Sequence, residues 1–280
     1  MTLTAVRSDI YLHHLAFESP NPDKLAHFYG KALEMSVEKV GNLMWKCEGP
    51  KRKIIFQKGG RKKLVYAGFS CRDKQGLDEM KSKVISEKIN IEKSISHFFD
   101  NDAFGVKDPD SNLLIFGLDK KENQKFEGMH APLQHLTFAS KNVEAFEKFY
   151  NKKLGFSVSD RVVRDDGTMA TCFTRSNHEH HTIACFKSEM PGVDHHSYET
   201  GDWSRIKEWC DKFSSLGIQL MWGPGRHGPG NNLFIFIEDP DKNWIEISAE
   251  LEVVHDRPVK HWDHEPKTLN LWGPHSIMRS

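Results

Sequence analysis

Sixteen histidines are spread over 280 residues, and those in the second half stand where imidazole can do chemistry. His135 opens a segment of alternating apolar and polar residues, His195 and His196 form a doublet in another, and Glu246 sits within Trp244-Ile245-Glu246-Ile247. Imidazole and carboxylate donors brought together from separate segments suit a divalent first-row metal whose coordination is left partly open. Glu246 is the sharpest clue. Alternation places it among apolar residues on a face directed at a barrel interior, where a carboxylate without a cation or partner is costly. Taken alone, an outward-facing surface glutamate is the competing reading.

The chain repeats itself, which bears on both the fold and the site. Leu12-His13-His14-Leu15-Ala16-Phe17 matches Leu133-Gln134-His135-Leu136-Thr137-Phe138, and Phe28-Tyr29-Gly30-Lys31-Ala32-Leu33 matches Phe149-Tyr150-Asn151-Lys152-Lys153-Leu154. Asp108-Pro109-Asp110 returns as Asp239-Pro240-Asp241. Three matched segments in one order mean duplication. Aligned on these segments, Ile115 stands opposite Glu246, Ala67 opposite His196 and His14 opposite His135. The first half thus has apolar residues at two of the three candidate positions. His13 and His14 read as satisfied strand histidines, not as ligands.

The elements that carry these residues follow from periodicity. Residues 11–17 and 133–139 have the strand period, and residues 142–153 carry Val143, Phe146, Phe149 and Tyr150 on one helical face. Helices are expected over 74–88 and 202–215, and strands over 232–237 and 243–248 around the Asp-Pro-Asp turn. The predicted fold class is α+β: tandem βαβββ modules, two per half, making two similar open-barrel domains of mixed sheet with flanking helices. The predicted domains are residues 1–122, without a metal, and residues 130–252, with one. A polar linker joins them, and residues 253–280 form a tail packed near the pocket of the second.

Composition narrows the function. Lys plus Arg and Asp plus Glu both number 39, so no electrostatic footprint for nucleic acid or an anionic membrane is expected. A hydrophobic share of 38% with 11% aromatic residues supports a packed core, and no apolar run has the length of a membrane span. The opening residues do not read as a signal peptide. Five scattered cysteines suit reduced thiols and a cytoplasmic location. Gly223 to Gly230 is not a phosphate loop, because no Lys-Ser/Thr follows. Lys51 to Lys63 reads as a solvated basic hairpin. Cys185 and Cys210 read as inert core thiols, and His261, Trp262, His264 and Trp272 either cap the pocket or simply pack.

Together, the His135 strand, His180-His181-Thr182-Ile183-Ala184, Asp194-His195-His196-Ser197-Tyr198, Gly223-Pro224-Gly225-Arg226-His227-Gly228-Pro229-Gly230-Asn231-Asn232 and the Asp239 to Glu246 segment resemble the type I extradiol ring-cleavage dioxygenases of the vicinal oxygen chelate superfamily. The resemblance covers nearly the whole chain. It implies that His135, His196 and Glu246 hold Fe(II), or less often Mn(II), with His195 turned outward. It makes His181 the acid–base residue and His227 a hydrogen-bond donor near the ring-oxygen site. His180 alternates away from the pocket unless the strand register is off by one. It is kept with Trp222, Cys172 and Phe236 among the substrate-side residues. The implied partners are a catecholic small molecule and O2, with no nucleic acid or membrane, and the implied assembly is a homo-oligomer.

Two departures from the family pattern bear on substrate. Phe236 stands nine residues after His227, where relatives commonly carry tyrosine. Trp222 stands where an arginine can grip a carboxylate, which favours an uncharged, bulky or bicyclic catechol. Arg226, Arg257 or Arg279 could supply the missing cation. The rival readings are a metal-dependent isomerase or thiol transferase on the same scaffold and a small-molecule-binding protein. The isomerase or transferase would draw ligands from two modules with a second carboxylate, which Ile115 and Ala67 do not provide.

Overall fold

The computed structural model describes residues 3–120 and 128–273. After a short helix α1 (Thr4–Arg7), the first module is β1 (Tyr11–Ser19), α2 (Pro22–Ala32), β2 (Ser36–Gly41), β3 (Met44–Gly49) and β4 (Arg52–Lys58). The second is β5 (Lys63–Ser70), α3 (Lys74–Ser86), β6 (Glu92–Lys93), β7 (Phe104–Lys107) and β8 (Leu113–Gly117). The third is β9 (Leu133–Ser140), α4 (Val143–Glu147, continued by π-helical turns over Lys148–Lys153), β10 (Ser157–Val163), β11 (Met169–Arg175) and β12 (Ile183–Lys187). The fourth is β13 (Gly192–Glu199), α5 (Trp203–Ser215), β14 (Trp222–Arg226), β15 (Leu233–Glu238) and β16 (Trp244–Ala249). The tail adds β17 (Lys260–Asp263) and α6 (Pro266–Leu269).

Each half is therefore βαβββ twice, as the periodicity predicts. The module helices begin alike for a local reason. Asn21 and Asn142 cap the first helix of each half, and Asp73 and Asp202 cap the second, each side chain accepting a backbone N–H from the first turn. Such caps satisfy donors that the helix itself leaves open. The strands form one mixed sheet per half, ordered β2-β3-β4-β1-β5-β8-β7-β6 and β14-β15-β16-β13-β9-β12-β11-β10-β17. Modules meet along β1 with β5 and β9 with β13, both antiparallel, while β4, β8, β12 and β16 pair in parallel with the first strand of their module.

Strand alternation divides the core. Leu15 and Phe17 of β1 share a continuous apolar cluster with Leu136 and Phe138 of β9, so the two halves are welded through it. His14 and Ala16 face the first barrel's interior, which Tyr66, Phe98, Phe99 and Ile115 fill. The weld has a reciprocal polar element. Tyr29 donates to Asp239 at 3.0 Å, and Tyr150 donates to Asp108 at 3.1 Å, so each half's first helix reaches the other half's Asp-Pro-Asp turn.

Some expectations need adjustment. The glycine-rich segment is partly strand, since β14 takes in Trp222 to Arg226. The basic stretch from Lys51 is not wholly solvated: Arg52 is fully buried and donates to the carbonyls of Leu33, Met129 and Ala131. Part of the expected linker and Arg279 lie outside the described residues. Among the described residues no helix is long and apolar enough to cross a membrane.

Candidate active site

Register decides which side chains meet. Ser197 of β13 lies opposite His135 of β9 and Glu246 of β16, and His195 lies opposite Thr137 and Trp244. Directly paired residues share a face, so His135, His195 and Glu246 all look into the second barrel. Their donor atoms form a tight triangle. His135 Nε2 is 2.9 Å from Glu246 Oε2 and 3.4 Å from His195 Nε2, and His195 Nε2 is 3.5 Å from Glu246 Oε2. All three residues are buried.

This geometry corrects the expectation for the doublet. His196 pairs with Leu136 and Ile245 on the opposite face. Its Nε2 lies 3.0 Å from the Tyr29 hydroxyl, and its ring packs on Phe17 at the weld between the halves. The histidine that joins His135 and Glu246 is His195, and its first-half counterpart is Tyr66, not Ala67, because Tyr66 pairs with Ala16 as His195 pairs with Thr137.

The donor set fits a divalent ion by its outer contacts. His135 Nδ1 meets Gln134 Oε1, and His195 Nδ1 lies 2.6 Å from Asp194 Oδ1. With each Nδ1–H committed to an acceptor, the lone pair of Nε2 is left for the centre, the tautomer that metal-bound imidazole requires. Asn232 donates to Glu246 Oε1 at 3.2 Å and to Ser248 Oγ at 2.9 Å. Burial pushes the His195 imidazole down to about 4 and lowers that of His135, so both stay neutral. Burial opposes the Glu246 charge, but the imidazoles directed at it, His135 first and then His227 and His195, hold its carboxyl well below the usual range. Neutral imidazoles and an ionised carboxylate are the protonation states a metal needs.

These donors lie in a cavity of about 680 Å³. Phe173, Phe186, Trp222, Phe236, Trp244 and Leu269 line it, with His181 and His227 among them. The His181 ring lies 4.2 Å from that of His135. His227 stacks on Phe234 at 3.9 Å and donates from Nδ1 to the Leu269 carbonyl, while its Nε2 stands 3.6 Å from Glu246 Oε1. Lys62, from the turn between β4 and β5, and Lys187 are the exposed lysines of the lining. The first half thus contributes to the second half's cavity from the very hairpin expected to be mere solvated surface.

Three sequence expectations fall elsewhere. Cys172 does not face the cavity: it is buried in the common core, 3.6 Å from Glu147 Oε2, while the next residue, Phe173, takes the cavity side. His180 lies behind His181, its Nδ1 2.9 Å from His181 Nδ1, and is absent from the lining. The tail covers the cavity with Leu269, not with His261, Trp262, His264 or Trp272. Sequence reasoning missed Gln134, Asp194 and Asn232 as orienting residues. A signal was available, since Gln134 and Asp194 each directly precede a histidine of the triangle.

Residues 133–247 match the family model described as Glyoxalase/Bleomycin resistance protein/Dioxygenase superfamily. The chain is 24% identical over 245 residues to metapyrocatechase 2 of Cupriavidus necator, covering 78% of this chain and 75% of that protein. It is 21% identical over 258 residues to the metapyrocatechase of Pseudomonas sp. (strain CF600), covering 84% and 81%. In structure it resembles homoprotocatechuate 2,3-dioxygenase of Brevibacterium fuscum in complex with 3,4-dihydroxyphenylacetate. The TM-score is 0.83 at 22% identity, over 96% of this chain and 90% of that one. The homoprotocatechuate 2,3-dioxygenase of Arthrobacter globiformis matches with a TM-score of 0.82 at 20% identity, over 95% and 88%.

Proposed function

We propose that this chain, whose second half is a domain of the glyoxalase and dioxygenase superfamily, is a metal-dependent extradiol dioxygenase. It opens a catechol ring beside, not between, the two hydroxyls and places both atoms of O2 in a semialdehyde acid. The observation that carries this reading is the His135–His195–Glu246 triangle set in an aromatic-walled cavity with two further histidines.

His135, His195 and Glu246 would hold Fe(II), with Mn(II) as the alternative, on one face of the ion. When bound, that metal supplies the redox chemistry joining catechol to O2. The chain's own residues do the rest. His181 takes a proton from a catechol hydroxyl and returns one during ring opening, which a neutral imidazole can do near pH 7. Burial, reinforced by the neighbouring histidines, holds His181 well below its ordinary range, so it enters the reaction as the base. His227, fixed by Leu269, presents Nε2 at the ring-oxygen site. Phe173, Trp222 and Phe236 exclude water and clamp the ring.

The aromatic walls favour an apolar substituent or a second fused ring, which gains about 25 cal/mol per Å2 buried. An acidic group would be accommodated only near the exposed lysines of the lining. The free thiols, four of the five buried, accord with a reducing, cytoplasmic setting, and a homo-oligomer is the assembly that goes with this reading.

The test is anaerobic purification with metal analysis, followed by oxygen uptake on mono- and bicyclic catechols. Stoichiometric iron or manganese with uptake and a yellow ring-opened product supports the proposal. A metal-loaded protein inert toward the whole panel overturns it, in favour of an isomerase or a binding protein on the same scaffold.

A further inference from the structure

Behind His181 runs a chain of buried polar groups that do not line the cavity. His181 Nδ1 is 2.9 Å from His180 Nδ1, and His180 Nε2 is 3.1 Å from Asp160 Oδ2. Asp160 Oδ2 also accepts from Trp262 Nε1 at 2.7 Å, and its Oδ1 lies 2.9 Å from Arg257, which in turn grips Glu252. His180 and Asp160 are both 0% exposed. Two adjacent buried imidazoles and a buried carboxylate are costly unless their protons are arranged to satisfy one another.

The arrangement follows by elimination. Although burial opposes its charge, Asp160 is held below the ordinary carboxyl range by His180, Trp262 and Arg257. A carboxylate only accepts, so the 3.1 Å contact is satisfied when the proton of His180 sits on Nε2. With that one proton on its ring, His180 has a bare Nδ1, and the 2.9 Å contact is satisfied when His181 Nδ1 donates to it. His181 Nε2 is left without a proton.

We propose that Asp160 and His180 are positioning residues that make His181 a base and then take over its charge. As His181 Nε2 accepts the catechol proton, its Nδ1 passes a proton to His180 Nδ1, and the positive charge comes to rest beside Asp160. One proton arrives and one is handed on. When the proton returns to substrate the same bonds run in reverse. The benefit is electrostatic: an imidazolium at His181 would sit against the ligand His135 and repel a bound divalent cation, whereas at His180 it faces a carboxylate. This inference rests on the reading of His181 as the proton carrier.

The test reads the tautomer directly, by 15N imidazole resonances of the protein loaded with diamagnetic Zn(II). His181 is assigned by its loss in His181→Gln. Wild type should show His181 protonated at Nδ1. In Asp160→Asn the amide donates to His180 Nε2, the direction of both bonds reverses, and His181 should appear protonated at Nε2. In the native-metal enzyme, Asp160→Asn and His180→Asn should lower kcat roughly 10- to 100-fold, within the usual range for acid–base assistance. Metal content and the dissociation constant of an anaerobically bound catechol should change less than about threefold, a difference near 0.6 kcal/mol. If Asp160→Asn does not fold, His180→Asn carries the kinetic arm. Wild-type His181 protonated at Nε2, or wild-type kcat in His180→Asn, overturns the relay. Unimpaired turnover in His181→Gln instead overturns the reading of His181 itself, and the tautomer result stands apart from it.

Discussion

His195 and His196 are neighbours in sequence, both buried, and bound for opposite faces of one strand. His195 turns its Nε2 to Glu246, and His196 turns its Nε2 to Tyr29, a residue 167 positions away. The sequence marked the doublet as a ligand source, but a one-residue slip exchanges the faces, and the resemblance pointed to the member that faces away from His135 and Glu246. What was readable was the preceding acceptor, Gln134 before His135 and Asp194 before His195, because a metal-bound imidazole needs its other nitrogen tethered. The substitutions separate accordingly. His195→Ala should lose most bound metal, and Glu246→Gln likewise, since a neutral amide cannot balance the ion's charge. His196→Ala should retain metal while costing about 2–4 kcal/mol of stability, through the cavity left and the Tyr29 bond lost. Metal analysis beside thermal melts checks both halves of this prediction, and metal loss in His196→Ala with full occupancy in His195→Ala would reverse the assignment.

At the scale of elements, alternation was legible where a strand is long and one-sided, and failed where neighbouring strands are buried on both faces. Cys172 and Phe173 illustrate the failure: both are apolar, and only the pairing of β11 with β10 and β12 decides which of them faces the cavity. The cover of the cavity was less legible still, because it depends on a close approach between distant segments. Gly228, just after His227, donates to the Thr268 carbonyl at 3.0 Å. A Cβ there would fall 2.8 Å from that same oxygen and 2.9 Å from the Trp262 ring. Glycine is thus what lets the tail settle against the loop and bring Leu269 over His227. Gly228→Ala should push the tail outward at a cost of about 1–3 kcal/mol. KM for catechol should rise several-fold with metal content unchanged, measurable by steady-state oxygen uptake. An unchanged KM would mean that Leu269 is held by other contacts.

Across the whole molecule, duplication was the most legible feature, because it leaves repeated sequence that no single element's propensity can mimic. Its energetic meaning lies in the weld: Tyr29 and Asp239 from opposite halves, mirrored by Tyr150 and Asp108. Those tyrosines and Asp-Pro-Asp turns were visible as matched motifs, but their reciprocal bonding joins residues up to 210 positions apart and left no local trace. The weld also carries a pH signature. Burial is the chief cause that raises the Asp239 carboxyl from 3.8 to about 6, against the opposing hydrogen bonds of Asn243, Tyr29 and the turn backbone. A carboxyl raised in the folded state contributes stability that is fully present below pH 3.8 and lost as the pH climbs through 6. Glu199, raised to about 7, acts with the same sign. The buried neutral histidines act oppositely: with His195 at about 4 and His196 at about 3, they cost stability as the pH falls below their ordinary range. A single melting curve mixes the two signs, so the informative quantity is the difference between Asp239→Asn and wild type, both metal-free. The asparagine does not titrate, so its stability relative to wild type should improve between pH 4 and pH 8 by on the order of 3 kcal/mol, the rough equivalent of two pKa units. Tyr29→Phe should move the wild-type loss to higher pH, because it removes a donor that favours the ionised carboxylate. A pH-independent difference would mean that Asp239 stays ionised throughout, and that its charge is balanced at the weld by a cation such as Arg61, 3.8 Å from the neighbouring Asp241.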